Sequence, residues 1–274
     1  MSTRPRARTA GRFLGLAAAA VFMLFPVYWL AVTAVTPRED LAGGRPPAFP
    51  NEVRLSNLSE TWQSLPFSQW LVNSLSIAVV ACVLSVTLNL AAGFVLAKYR
   101  FAGRGAIFLV IVSTLMIPIQ VVMIPQFRIV AELGWLNSYW AVIIPRAAEA
   151  FGIFLARQFM LGIPDELLEA ARVDGAGNLR TFVSVVLPLC KPLVAVLVVF
   201  TFMFRWNEFA WPLIVLREQA LYTLPVGLSF LQGQNGTDYA GLTGMALLTS
   251  VPVLVVFLVF QRYLVEGVAR TGLK

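Results

Sequence analysis

Four ionisable side chains stand inside otherwise apolar stretches of this chain: Arg146 and Glu149, three residues apart, and Arg205 and Glu208, also three apart. An acid and a base at that spacing can pair within one helix. They can also line a polar path or gate through apolar surroundings. Sugars suit such a path, because hydroxyls need paired donors and acceptors and an indole can cover a pyranose face. Arg146, Glu149, Arg205, Trp206, Asn207 and Glu208 are therefore a candidate pathway for a hydroxyl-rich solute. Structural neutralisation remains the other reading. Tryptophan also collects at membrane interfaces without any ligand. Trp211 is read that way, and Trp206 is left open between the two.

Other chemistry is poorly supplied. The 274 residues include no histidine and two cysteines, Cys82 and Cys190, both in or beside apolar runs. A disulfide framework is not expected, and zinc or haem would find almost no ligands. There is no G-x-x-x-x-G-K-[ST] loop to cradle nucleotide phosphates. No paired acids stand near a nucleophile. We expect no catalytic residue, no cofactor and no metal.

The elements that must position these charges are membrane spans. The chain is 58% hydrophobic and 13% charged, with mean hydropathy +0.77, whereas a soluble domain is about 25% charged. The net charge of +7 is clustered between apolar runs, not spread over a hydrophilic domain, which argues for membrane topology and against nucleic acid. A helix crossing the hydrocarbon core needs roughly 20 apolar residues. Six stretches qualify, at about 13–35, 70–97, 106–128, 137–159, 192–216 and 239–262. The reading is an all-α polytopic bundle, with a transmembrane domain at 13–264 between short tails at 1–12 and 265–274.

Loop charges orient it. Fourteen of the 21 Lys and Arg fall in the two tails and in the second-to-third and fourth-to-fifth connections, with Arg157 at the edge of the latter. Basic residues are retained inside, so both termini are expected in the cytoplasm of a bacterial or archaeal cell. The first apolar run exceeds the 7–15 residues of a signal-peptide core and is read as an uncleaved span. The Pro- and Gly-rich segment 36–69 is the long external loop, a connector or a docking point for an external partner.

By this topology residues 161–190 are cytoplasmic, and they hold a polar, small-residue segment, "ELLEAARVDGAGNLRTFVSVVLPL". Pro164 can open a helix, Asp165 and Glu166 suit its positive end, and Gly175 is a natural stop. A helix of about ten residues is marginal alone in water. It needs either the membrane surface or a docked protein, and Ala170 and Ala171 would let another backbone come close.

The spacing Glu169-Ala170-Ala171, Gly175, Val185, Leu187-Pro188 resembles the signature loop of ABC importer membrane subunits, with Val185 for the usual Ile. The stretches "WNEFAWPL", "TLPVGL", "QRYLVEG", "WLVNSL" and "LAKYRFAGR" are similar to the carbohydrate-uptake branch, the maltose-type second permease. The likeness covers nearly the whole chain. The tail "VARTGLK" departs from that subunit's Gly-rich ending.

The resemblance implies the type I importer permease architecture, with Glu169, Ala170, Ala171, Asp174 and Gly175 coupling it to a separate ATPase. It also implies a homologous partner permease, two ABC ATPase subunits, an extracytoplasmic solute-binding protein and surrounding membrane lipid. The implied activity is ATP-driven import of a sugar or related polyhydroxy solute, by a permease that is not itself an enzyme. A permease for a non-sugar solute such as glycerol phosphate is the alternative. A stand-alone secondary transporter, with intramembrane charges binding a coupling ion, is a further one.

Overall fold

The computed structural model describes residues 4–41, 46–233 and 236–271, with side chains for 12–41, 46–232 and 237–263. The ends of both tails and residues 42–45 of the external segment lie outside the described residues. Contacts divide the chain into two units, one formed by 1–68 and 227–251, the other by 69–226 and 252–274.

The first unit opens with α1 (Arg4–Val35). The expected tail at 1–12 is thus helical from Arg4, with Pro5 in the first turn, where its missing N–H would be unpaired anyway. Then come α2 (Arg38–Leu41) and α3 (Ser56–Ser64). Buried Asn57 donates to the carbonyls of Ala34 and Thr36 at 3.2 and 2.8 Å, satisfying acceptors that the end of α1 leaves orphaned. Arg38 bridges Glu60 at 2.6 Å and Asp238 at 3.2 Å. The hydrogen bond that Arg38 donates to Asp238 leads in raising the Arg38 pKa above its ordinary value.

α4 (Phe67–Lys98) runs unbroken for 32 residues and is the long axis of the second unit. Next come α5 (Arg104–Ser113), α6 (Ile119–Glu132), α7 (Tyr139–Ile143), α8 (Ala150–Leu161), α9 (Glu166–Val173) and α10 (Asn178–Thr181). A π-helical turn at Phe182–Val186 leads into α11 (Leu187–Leu189), α12 (Lys191–Trp206), α13 (Ala210–Val215) and α14 (Leu224–Ser229). In the first unit β1 (Gln232–Gly233) and β2 (Gly236–Thr237) pair antiparallel. Last is α15 (Tyr239–Thr271).

Among the described residues three helices are long and apolar enough to cross a membrane alone, Arg12–Val35, Phe67–Lys98 and Tyr239–Tyr263; three bent helix pairs bring the total to as many as six if each pair is one span. The stretches expected as spans at 106–128, 137–159 and 192–216 are each broken. The first bends by 106° where Ile117 goes extended before Pro118, since proline disfavours helix in the residue before it. The second bends by 42° across a 3-10 turn containing Pro145 and an extended Glu149. The last is interrupted at 207–209 between α12 and α13, and α12 itself meets the preceding helical stretch at 83° beside Pro192. Pro125 and Pro252 lie inside α6 and α15 without ending them.

Trp211 is no interfacial residue. It is 3% exposed, in a cluster with Ile77, Val130, Val142 and Val215 from α4, α6, α7 and α13. Its Nε1 donates to the Ala141 carbonyl at 2.9 Å, the partner a buried indole needs. Gly93 and Gly152 serve close approach, not bending. A Cβ at Gly93 would lie 2.4 Å from the Ala156 Cβ, and one at Gly152 would lie 2.1 Å from Asn89 Nδ2. Both bring α4 and α8 together, as small residues do between membrane helices.

Candidate functional site

The breaks in the fourth and fifth spans bring all four intramembrane charges together. Arg146 ends the turn after α7, Glu149 precedes α8, Arg205 sits in the last turn of α12, and Glu208 follows it. Arg146 contacts Glu208 at 2.7 Å and Glu149 at 3.7 Å; Arg205 contacts Glu149 at 3.3 Å and Glu208 at 3.4 Å. Each arginine thus meets both carboxylates. The expected i,i+3 contacts are present, but they span helix breaks and do not lie within single helices, and the shortest contact of each arginine crosses between spans. The reason is geometric. An extended Glu149 turns its carboxylate away from the helical row and toward α12.

The ring is buried. Arg205 has a fully covered side chain and that of Glu208 is 8% exposed. Arg205 also donates to the Arg146 carbonyl. Its contact with Glu149 is ionic, for neither Arg205 Nε nor Glu149 Oε1 has a hydrogen-bond partner among the described residues. Two side chains of α4 hold the ring from beneath. Ser85 donates its hydroxyl to the Arg146 carbonyl at 3.2 Å, and Asn89 Oδ1 accepts from the Glu149 N–H at 3.0 Å. Sequence reasoning passed over both residues. Their signal was present: two polar residues at i,i+4, hence on one face, within a charge-free span.

Arg146 and Glu208 reach a cavity of about 220 Å³, walled also by Gln120, Met123 and Gln126 of α6 and by Phe204 and Trp211. The Arg146 guanidinium lies 4.2 Å from the centre of the Phe204 ring, a cation–π contact. Glu149 and Arg205 stand behind this wall. Trp206 and Asn207 do not line it. Trp206 is buried with its ring stacked on Phe202 at 5.6 Å. Asn207 donates to the Met203 carbonyl at 2.8 Å, closing the end of α12.

The second constellation is α9. Its end is a Schellman motif: the Ala176 N–H reaches the Ala171 carbonyl at 2.9 Å and the Gly175 N–H that of Arg172 at 3.0 Å. That closure requires a left-handed residue, and Gly175 has φ +78°. Leu168 and Ala171 are buried, while Glu169, Ala170, Arg172, Asp174 and Gly175 are exposed and Val173 is 88% exposed. The start of α9 is held by Lys98 at the end of α4. Its Nζ donates to Asp165 Oδ1 at 2.6 Å and to the Ile163 carbonyl. The Lys98 hydrogen bond holds the Asp165 carboxyl below the usual range. The sequence alone marked Lys98 only as a loop charge.

Bent apolar spans, a short capped helix and a polar ring define a polytopic membrane permease. Residues 89–270 match the family described as the binding-protein-dependent transport system inner membrane component, and the chain belongs to that family. It is 35% identical over 264 residues to the arabinooligosaccharides transport system permease protein AraQ of Halalkalibacterium halodurans, covering 95% of each chain. It is 34% identical over 253 residues to the sn-glycerol-3-phosphate transport system permease protein UgpE of Escherichia coli, covering 89% of this chain and 90% of that one. A chain of a bacterial ABC transporter that imports the acidic polysaccharide alginate shares the fold, with TM-score 0.81, 24% identity and coverage of 96% and 99%. The fold is that of an ABC importer permease, and the protein is a multi-pass membrane component.

Proposed function

We propose that this chain is one of two permease halves in an ATP-driven importer, coupled through the exposed face of α9 to a separate ATPase. The observation that carries this is the capped helix itself. Leu168 and Ala171 root it, while Glu169, Ala170 and Val173 stand in the open, an apolar and acidic surface too short to be stable without a partner. The basic residues Arg100, Arg104, Arg172, Arg180 and Lys191 lie in the connections on the same side by sequence. That placement supports a cytoplasmic face with both termini inside. An extracytoplasmic solute-binding protein, a partner permease and a pair of ATPase subunits complete the reading. A bulky residue at Glu169 or Gly175 should cut uptake by the assembled transporter about tenfold or more, with normal membrane levels of this chain. Uptake that survives several such changes overturns the coupling role.

The solute is a neutral oligosaccharide, by this reading, with the cavity beside Arg146 and Glu208 on its path. The relatives' names offer both a neutral sugar and a phosphate ester. The ring favours the neutral sugar. Its two arginines are balanced by two carboxylates at 2.7–3.7 Å, so no uncompensated cation faces the cavity to stabilise a buried phosphate. Labelled arabino-oligosaccharide should enter vesicles carrying the complete transporter, and excess sn-glycerol 3-phosphate should not compete. Uptake of the phosphate ester in its place would refute this.

A further inference from the structure

We infer that Lys98 is a positioning residue that stiffens the joint between the coupling helix and the spans, so that movement of α9 reaches the charge ring through α4. The inference rests on the coupling role proposed for α9 and names the part of this chain that transmits it.

Between α8 and α9 lies a turn of four residues, Gly162–Asp165. Lys98 ties that link to the end of α4. Its Nζ bonds the Ile163 carbonyl on one side of Pro164 and the Asp165 carboxylate on the other. The Lys98 side chain is 4% exposed. A buried ammonium must stay paired, so the joint cannot open without stranding a charge.

The other end of the lever is equally fixed. Asn89 and Ser85, which hold the ring, lie nine and thirteen residues before Lys98 on the same unbroken helix. Those separations are roughly 14 and 20 Å at the helical rise. Between them α4 and α8 cannot slide freely. Gly93 seats Ala156, and Arg157 donates to the Leu96 carbonyl at 3.3 Å. Its guanidinium also lies 4.1 Å from the centre of the Phe108 ring. A displacement at α9 therefore has a continuous packed path to Arg146 and Glu149, and Lys98 is its one charged joint with the coupling segment among the described residues.

The test uses the assembled transporter and needs no knowledge of the solute. Met123→Cys places a thiol on the cavity wall beside Arg146 and Glu208. The native Cys82 and Cys190 are buried, so a water-soluble maleimide reads position 123. Trapping the ATPase with ATP and vanadate should change the labelling rate about tenfold in this background. Adding Lys98→Met should shrink that change to under about twofold at equal assembly, and Lys98→Arg should restore most of it. A full response in the Lys98→Met protein overturns the joint and leaves the coupling role standing. No response even with Lys98 present overturns both. Should Lys98→Met fail to assemble, Asp165→Ala removes the exposed partner instead, and the same loss of response is expected; a full response there overturns the joint.

Discussion

Arg205→Met should be among the most damaging single changes in this protein, lowering the stability of the purified permease by about 3–5 kcal/mol. The arginine has no exposed side-chain surface and faces two carboxylates at 3.3 and 3.4 Å. Methionine fills similar space but leaves Glu149 and Glu208 sharing the single charge of Arg146 in an apolar surrounding. It also leaves the Arg146 carbonyl with Ser85 as its remaining side-chain donor. In a heated detergent sample followed by size exclusion, the midpoint should fall by roughly 10 °C.

The informative partner is Arg205→Met combined with Glu149→Gln. That pair removes one charge of each sign and leaves Arg146 and Glu208 at 2.7 Å, a self-contained ion pair. Replacing a whole buried pair is far milder than breaking one, so the double variant should recover more than half of the lost midpoint. A double variant worse than Arg205→Met alone would mean that the ring is not held together by charge balance. So would a single variant as stable as a change on the exposed face of α1. Glu208 is left in place because it also lines the cavity, where its loss would mix stability with solute contact.

The three unbroken spans were legible because hydropathy over 20 residues measures what the bilayer selects. The bend before Pro118 has a sequence cause in the proline itself, but the breaks at Glu149 and Asn207 were not legible, because they depend on backbone geometry that hydropathy does not sense. The stop of α9 at Gly175 was legible for a local reason: a left-handed residue is needed there and glycine adopts it without cost. The four charges and their i,i+3 contacts were legible, but the shorter contacts between spans were not. Spacing reports partners within a helix, and these partners are chosen by which broken ends meet across spans. The same limit hid Lys98, whose value comes from Ile163 and Asp165, 65 and 67 residues away. Trp211 was misplaced because the usual habit of tryptophan at interfaces says nothing about a carbonyl, that of Ala141, waiting in the core.

Gly93→Ala should destabilise the permease by about 2–3 kcal/mol, although alanine is the better helix former by up to about 1 kcal/mol. The new Cβ would lie 2.4 Å from the Ala156 Cβ, 2.9 Å from the Arg157 nitrogen and 3.0 Å from the Ala156 carbonyl carbon. Two of those three atoms are backbone, so no rotamer change relieves the clash and α8 must move off α4. Separation there would also stretch the Arg157 bond to Leu96 and the Asn89 bond to Glu149, loosening the ring from its support. Gly105→Ala is the matched control, since nothing lies within 4 Å of its Cβ position, and its midpoint should hold or rise. Ala156→Gly added to Gly93→Ala removes the nearest atom but not the backbone behind it. Rescue should therefore be partial. Complete rescue would show that the helices meet through side chains alone. A Gly93→Ala protein as stable as the Gly105→Ala control would show that they do not press together at Gly93 at all.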